Sequence, residues 1–223
     1  MGSAMPKQFL LLRGKPVIVH TIENFQRCSS VDNVLIVCVR EWIPHLQGLV
    51  REHHLKKVEW IIEGGETVHD STRNAVFFLR NIISDGDYVI IHDAARPILP
   101  QPAIEAMLEV AHSKGNASLA IPSHETLIYT DNQISGNSHL DRQKVMRVQT
   151  PQAYLYSQIY LLYKRAEKDN IHDIVYADLV AIHYGQSIFF SKGFINNIKI
   201  TRKEDIPLCE SLMDFSEESL FSE

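Results

Sequence analysis

The run Tyr88-Val89-Ile90-Ile91-His92-Asp93-Ala94-Ala95-Arg96-Pro97 constrains this chain more than any other stretch. Its apolar, β-branched start, preceded by Asp85, Gly86 and Asp87, reads as a buried strand of a parallel sheet. Pro97 has no amide proton for a ladder, so the strand stops there. Asp93 and Arg96 then fall at the carboxyl end of a strand, the edge where open α/β sheets bind ligands. An acid at that edge can hold a divalent cation and an arginine can hold a phosphate. Ala94 and Ala95 leave room for a ligand against the backbone. The same spacing also suits an acid that caps the next helix with Arg96 as its ion-pair partner, and these residues alone do not choose between the two. His92 points to the opposite side of the strand from Asp93 and reads as structural.

The flanking sequence supplies the rest of an α/β layout. Strands are expected at Val34–Val39, Val58–Ile62, Ala117–Ile121, Ser187–Phe190 and Ile198–Ile200. Helices are expected at Val17–Cys28, Trp42–His53, Ser71–Ile83, Ala103–Lys114, Ser157–Asp169, Ile174–Tyr184 and Glu204–Met213. This alternation predicts a mostly parallel, doubly wound sheet with right-handed crossovers. Between β-like Glu125–Tyr129 and Lys144–Val148, the polar residues Thr130–Asp141 read as a hairpin-like excursion with no core of its own. No linker splits the 223 residues into two domains. The acidic, serine-rich tail Phe215–Glu223 is expected to fray.

Charge and cysteine usage narrow the function. A net charge of −5 argues against a broad nucleic-acid or anionic-membrane surface, so a polyanion must be met by a local basic site. Cys28, Cys38 and Cys209 show neither metal-type nor disulfide spacing and predict reduced thiols in a cytoplasmic protein. No apolar run approaches a membrane span, and no signal peptide is visible. The eleven histidines have no metal-site spacing; His20, for one, reads as a helix-surface residue. Polar groups gather instead at strand ends. Gly64 and Gly65 follow one strand, with Ser71 near the next helix start, and glycines there let backbone amides approach a ligand. Thr126 follows another strand, and Arg142, Gln149 and Thr150 bracket the return of the excursion. Lys7 and Lys199 could each face a phosphate, but on spacing alone Lys7 reads first as an exposed N-terminal charge and Lys199 as a solvated edge-strand lysine. One acid among scattered cations suits phosphoryl or nucleotidyl transfer, in which positioning and charge neutralisation do most of the catalysis.

Five blocks, taken together, resemble a known family. They are Pro6-Lys7-Gln8-Phe9; Gly64-Gly65 with Ser71; His92-Asp93-Ala94-Ala95-Arg96-Pro97; Asp141-Arg142 ahead of Gln149-Thr150-Pro151-Gln152; and Asn197-Ile198-Lys199-Ile200-Thr201 with Glu204-Asp205. In order and spacing they are similar to the methylerythritol-phosphate and ribitol-phosphate cytidylyltransferases over nearly the whole chain. The resemblance implies a Rossmann-like nucleotidyltransferase domain with a protruding β-arm, here about 124–150, that embraces a second subunit. It implies that CTP and a polyol phosphate, with Mg2+, give a CDP-alditol and pyrophosphate. On this reading Lys7 neutralises the CTP phosphates. Gly64, Gly65, Ser71 and Ala94 contact the nucleotide, and Asp93 lies by the metal and the substrate hydroxyls. Arg96, Thr126, Arg142, Thr150 and Lys199 form the acceptor pocket, with Arg142 serving the partner's site in a homodimer.

The sequence also departs from the family. Members open with a strand and a Gly-x-Gly-x-Arg-Met-Gly loop before the Pro-Lys-Gln block, and here Met1-Gly2 falls on the end of that loop. The strand is normally central, so neighbouring ladders are expected to be unpaired, and this chain is expected to bind CTP poorly. A non-catalytic or truncated homologue that keeps fold and dimer is the alternative. Val175-Tyr176-Ala177-Asp178 replaces a threonine-aspartate pair, which tilts the expected acceptor from methylerythritol phosphate toward ribitol phosphate, in the branch that serves cell-envelope or capsule polymers.

Overall fold

The computed structural model describes residues 5–221; the Met1-Gly2 position singled out above lies outside them. Two short strands, β1 (Leu11–Leu12) and β2 (Lys15–Pro16), form a turn around Arg13 and Gly14, both with positive φ. Helix α1 (Val17–Arg27) follows directly, with Pro16 as its N-cap. A βαβ unit comes next: β3 (Val34–Cys38), α2 (Ile43–Glu52) and β4 (Val58–Glu63), with β3 and β4 paired in parallel. Then follow α3 (Val68–Phe78), β5 (Tyr88–Ile91), α4 (Gln101–Lys114) and β6 (Asn116–Pro122). Gly115 ends α4 at φ 89°, a conformation glycine adopts without steric cost. The hairpin β7 (Leu127–Tyr129) and β8 (Ser138–Leu140) leads into β9 (Met146–Leu155) and α5 (Tyr156–Lys168). Helix α6 (Ala177–His183), β10 (Phe190–Lys192), α7 (Asp205–Leu212) and α8 (Glu217–Phe221) complete the order.

Four strands form one sheet in the order β10-β6-β9-β5, in which β9 runs against the other three. Helices cover both faces. Consecutive residues of β9 show the pleat at work: Ala153 packs with α4 and Ile200, and Tyr154 packs with α3, α5 and α6. The architecture is therefore the expected doubly wound, mostly parallel α/β fold.

Strands β3 and β4 form a separate two-stranded sheet, and among the described residues neither β3 nor β5 has a partner on its second edge. A cleft of about 1480 Å³ separates them, lined by Val34–Val37 on one side and Tyr88–Ala94 on the other. This is the unpaired-ladder outcome anticipated from the sequence. It also explains why β5, an apolar run suited to full burial, is only half-buried at all four positions.

Several local expectations are corrected. The strand expected at Ile198–Ile200 joins no ladder; the Ile200 amide donates instead to the Ala95 carbonyl at 2.9 Å. The neighbouring strand begins at Phe190 rather than Ser187. Helix α6 starts only at Ala177, because Tyr176 is extended. The tail does not fray within the described residues: Leu220 of α8 is buried in the core, and Glu217 accepts the Gln101 amide at 2.8 Å at the start of α4. His20 is buried, with Nε2 2.8 Å from the Leu12 carbonyl. The β-like stretch expected at Lys144–Val148 is part of a longer strand, β9, which runs through Pro151 to Leu155.

Candidate active site

The Arg96 amide donates to the Asp93 carbonyl at 3.0 Å and closes a turn at Ala94-Ala95. The turn brings the two side chains together, with Arg96 Nε donating to Asp93 Oδ2 at 3.1 Å. Lys199 Nζ donates to Asp93 Oδ1 at 3.0 Å. The Asp93 amide donates to Thr150 Oγ1 at 3.1 Å. Four residues, the outermost 106 positions apart in the chain, thus meet at one strand end. The helix-capping role considered for Asp93 is not seen, since α4 begins only after Pro100; the ion pair with Arg96 is. Nor is Lys199 a solvated lysine, with its side chain 27% exposed.

A bulge supplies Thr150. Opposite Gln149, Thr150 and Pro151 of β9, strand β6 offers only Leu119, so the register shifts there. The interruption accommodates Pro151, whose peptide bond to Thr150 is cis, and frees Gln149 and Thr150 for other partners. Asn197 ties the site together from the other side. It is 2% exposed, its Nδ2 donates to the Thr150 carbonyl at 2.8 Å, and its own carbonyl accepts from Arg96 at 2.6 Å. Its fixing role was not legible in sequence, because an asparagine before an apolar pair carries no distinct signal. Burial alone would raise the Asp93 carboxyl's pKa; Lys199 and Arg96 outweigh it and hold the group below its ordinary range. Lys7, in a 3-10 turn at Lys7–Phe9, feels the same cluster: partial burial and the Lys199 charge lower its pKa, opposed by Asp93 and Asp205. His92 is held neutral with a pKa of about 4, because its ring is desolvated, although Nε2 lies 3.1 Å from the Arg96 carbonyl.

Gly65, Ser71, Asp93, Ala94 and Thr150 all line the large cleft. The Gly65 amide donates to Ser71 Oγ at 3.1 Å. A Cβ on Gly65 would lie 2.2 Å from that of Asp70, and one on Gly64 would lie 2.9 Å from Ser71 Oγ. Gly65 is thus required for the loop to pack on α3, whereas a side chain at Gly64 would displace the Ser71 hydroxyl. That helix is held by a capping box between Thr67 and Asp70. Thr126 and Arg142 do not join the cluster within this chain. Both are exposed on the hairpin, where Arg142 donates to the His124 carbonyl at 3.3 Å.

Sequence comparison then fixes the family. Residues 1–214 match the family described as IspD, 2-C-methyl-D-erythritol 4-phosphate cytidylyltransferase. The chain belongs to this family. Curated cytidylyltransferases cover nearly all of it. The ribitol-5-phosphate cytidylyltransferase of Lacticaseibacillus paracasei is 34% identical over 96% of this chain and 92% of that one. The 2-C-methyl-D-erythritol 4-phosphate cytidylyltransferase of Clostridium novyi is 32% identical over 96% and 91%. Among solved structures, the Anaerococcus prevotii 4-diphosphocytidyl-2C-methyl-D-erythritol synthase shares the fold with a TM-score of 0.81, at 18% identity over 96% of this chain and 92% of that one. The Francisella tularensis 2-C-methyl-D-erythritol 4-phosphate cytidylyltransferase gives 0.79 at 25% identity over 93% of each chain.

Mg2+, which the family resemblance implies, would meet one carboxylate at this cluster, that of Asp93. Among the described residues no three His, Cys, Asp or Glu side chains converge into a metal cage. A single carboxylate fits a Mg2+ that is held mainly by substrate phosphates, as Mg2+ commonly is.

Proposed function

We propose that this enzyme transfers the cytidylyl group of CTP to a polyol phosphate, releasing pyrophosphate, with ribitol 5-phosphate the favoured acceptor and 2-C-methyl-D-erythritol 4-phosphate the next. The grip of Arg96 and Lys199 on Asp93, with Thr150 beneath, carries the reading: it is a pre-built positive edge around one acid, on the wall of a cleft that also holds Gly65 and Ser71. An oxygen of the acceptor phosphate attacks the α-phosphorus in line, and the bond to pyrophosphate breaks. Lys7 neutralises the triphosphate, and Gly64, Gly65, Ser71 and Ala94 hold the nucleoside. Arg96, Thr150 and Lys199 hold the acceptor phosphate and Asp93 its hydroxyls. Mg2+, bound through Asp93 and the phosphates, would offset their charge. The preference for ribitol rests on the Val175–Asp178 segment and on the L. paracasei relative.

Residues 124–150 form the arm of a single-domain subunit in this proposal. The segment from His124 to Lys144 is exposed except for half-buried Leu127, and Ile128, Tyr129 and Ile134 present apolar surface. A second copy of this chain would cover that surface and receive Thr126 and Arg142. Three buried free cysteines suit a reducing, cytoplasmic setting. No helix among the described residues is long and apolar enough to cross a membrane.

The test is release of pyrophosphate and formation of CDP-alditol from CTP, Mg2+ and each acceptor. Turnover with ribitol 5-phosphate at least tenfold above that with 2-C-methyl-D-erythritol 4-phosphate is expected. No product from either acceptor would defeat the proposal and favour a non-catalytic homologue. An Arg142→Ala chain mixed with a Lys199→Ala chain should regain activity that neither has alone, if each arm serves the other subunit's site.

A further inference from the structure

Tyr176 is an aromatic residue with no core to fill. It is 40% exposed and, among the described residues, belongs to none of the apolar clusters. Its place in the chain is nonetheless fixed. It is the extended residue that precedes α6, and its carbonyl accepts the Leu179 and Val180 amides at 3.0 and 3.1 Å. Two residues earlier, the Ile174 carbonyl lies 2.8 Å from Nδ1 of His69; a carbonyl only accepts, so this buried ring of α3 donates. Anchored on both sides, Tyr176 borders the large cleft and also a second cavity, of about 280 Å³, that reaches Asp93, Arg96 and Thr150. The Lys199 ammonium lies over the Tyr176 ring, 5.7 Å from its centroid, within the range over which a ring face attracts a cation.

We propose that Tyr176 is a positioning residue, which holds the Lys199 ammonium in the acceptor site through the face of its ring. The inference rests on the function proposed above and names what sets the position of one of its cations. Lys199 needs such a hold. Its ammonium sits on a flexible four-carbon stem. Its hydrogen-bonded partner is Asp93, which also carries Arg96 and, in the proposed reaction, meets the acceptor's hydroxyls. Lys7 shares the cluster and repels it. A ring face attracts the ammonium through its quadrupole, so it places no formal negative charge beside a phosphate site.

The experiment measures kcat and both KM values, with CTP and ribitol 5-phosphate, for Tyr176→Leu and Tyr176→Phe, and for Tyr176→Leu again in a Lys199→Ala background. Leucine keeps an apolar side chain without a ring. It should lower kcat about 3- to 10-fold, with KM for CTP within about twofold of wild type and the thermal midpoint nearly unmoved. Phenylalanine keeps the ring face and should hold kcat within about twofold of wild type. In the Lys199→Ala background the leucine substitution should cost less than about twofold more, because the cation it acts on is gone. A residue that only shapes the cleft would cost the same in both backgrounds, so an equal loss there would overturn the assignment. Wild-type kcat in Tyr176→Leu, or a Tyr176→Phe as slow as Tyr176→Leu, would overturn it too. Each of these results leaves the transferase reading intact. Absence of turnover by the wild type with any alditol phosphate would overturn both.

Discussion

The half of the molecule that carries Asp93 and Thr150 has four strands, helices on both faces and a polar cluster whose members hold one another. The half that carries Gly64 and Gly65 has two strands and fixes its glycine loop by a capping box, an amide-to-hydroxyl bond to Ser71 and one backbone bond from Gly64 to the Cys38 carbonyl. In the proposed assignment the acceptor side is thus preorganised by long-range contacts, and the nucleotide side relies more on local turn chemistry. Preorganised charge stabilises a transition state without reorganising during the reaction. A locally held loop is more readily displaced, and its loss should be felt in binding rather than in chemistry.

Four variants test this contrast, in decreasing order of expected effect. Lys199→Ala removes one of two cations from Asp93 and should lower kcat about 10²- to 10³-fold, with the thermal midpoint shifted by only a few degrees; turnover equal to wild type would remove Lys199 from the site. Gly65→Val drives a side chain into Asp70 and should cost roughly 1–3 kcal/mol of stability and raise KM for CTP, with KM for the acceptor steady. A parallel rise in both constants would show that the two halves are not separable.

The third test is acid sensitivity at the seam between the halves. His92 has a folded pKa of about 4, below its ordinary value of 6.5, so the unfolded chain binds a proton that the folded chain refuses in that window. Stability should therefore fall as pH drops from 7 to 5, by roughly 2 kcal/mol from this group. Asp93, held below its ordinary range by burial-opposing cations, adds a loss only at more acidic pH, as it protonates. Urea midpoints of wild type and His92→Phe at both pH values check this; equal slopes would refute it. Smallest, Thr67→Ala removes the cap of α3 and should cost about 1 kcal/mol, seen in the thermal midpoint.

The alternation of apolar runs sufficed for the order of the main strands and helices, since β3, β4, β5 and β6 are each built around a largely apolar run. The Asp93–Arg96 pair was legible because Pro97 ends the strand beside it. Three things were not. Pro151 concealed β9, because the bulge that tolerates it depends on β6, a strand distant in sequence. Lys199 showed no sign of its partner, since Ile198 and Ile200 suggested a strand where the chain forms a strap on Ala95. Asp178 lay within an expected helix, and nothing local showed that Ser118 and Tyr154, from two other strands, donate to it.

The facing edges of β3 and β5 bear on how the protein behaves in concentrated solution. Neither Val34–Cys38 nor Tyr88–Ile91 contains a charge or a proline, the usual guards against strand-to-strand sticking. Backbone groups that lack a ladder partner among the described residues along such runs are a template for any extended chain, including a neighbour that is partly unfolded. Aggregation should therefore begin at this seam, and a lysine placed at an edge position of either strand would be the first remedy when the protein is purified.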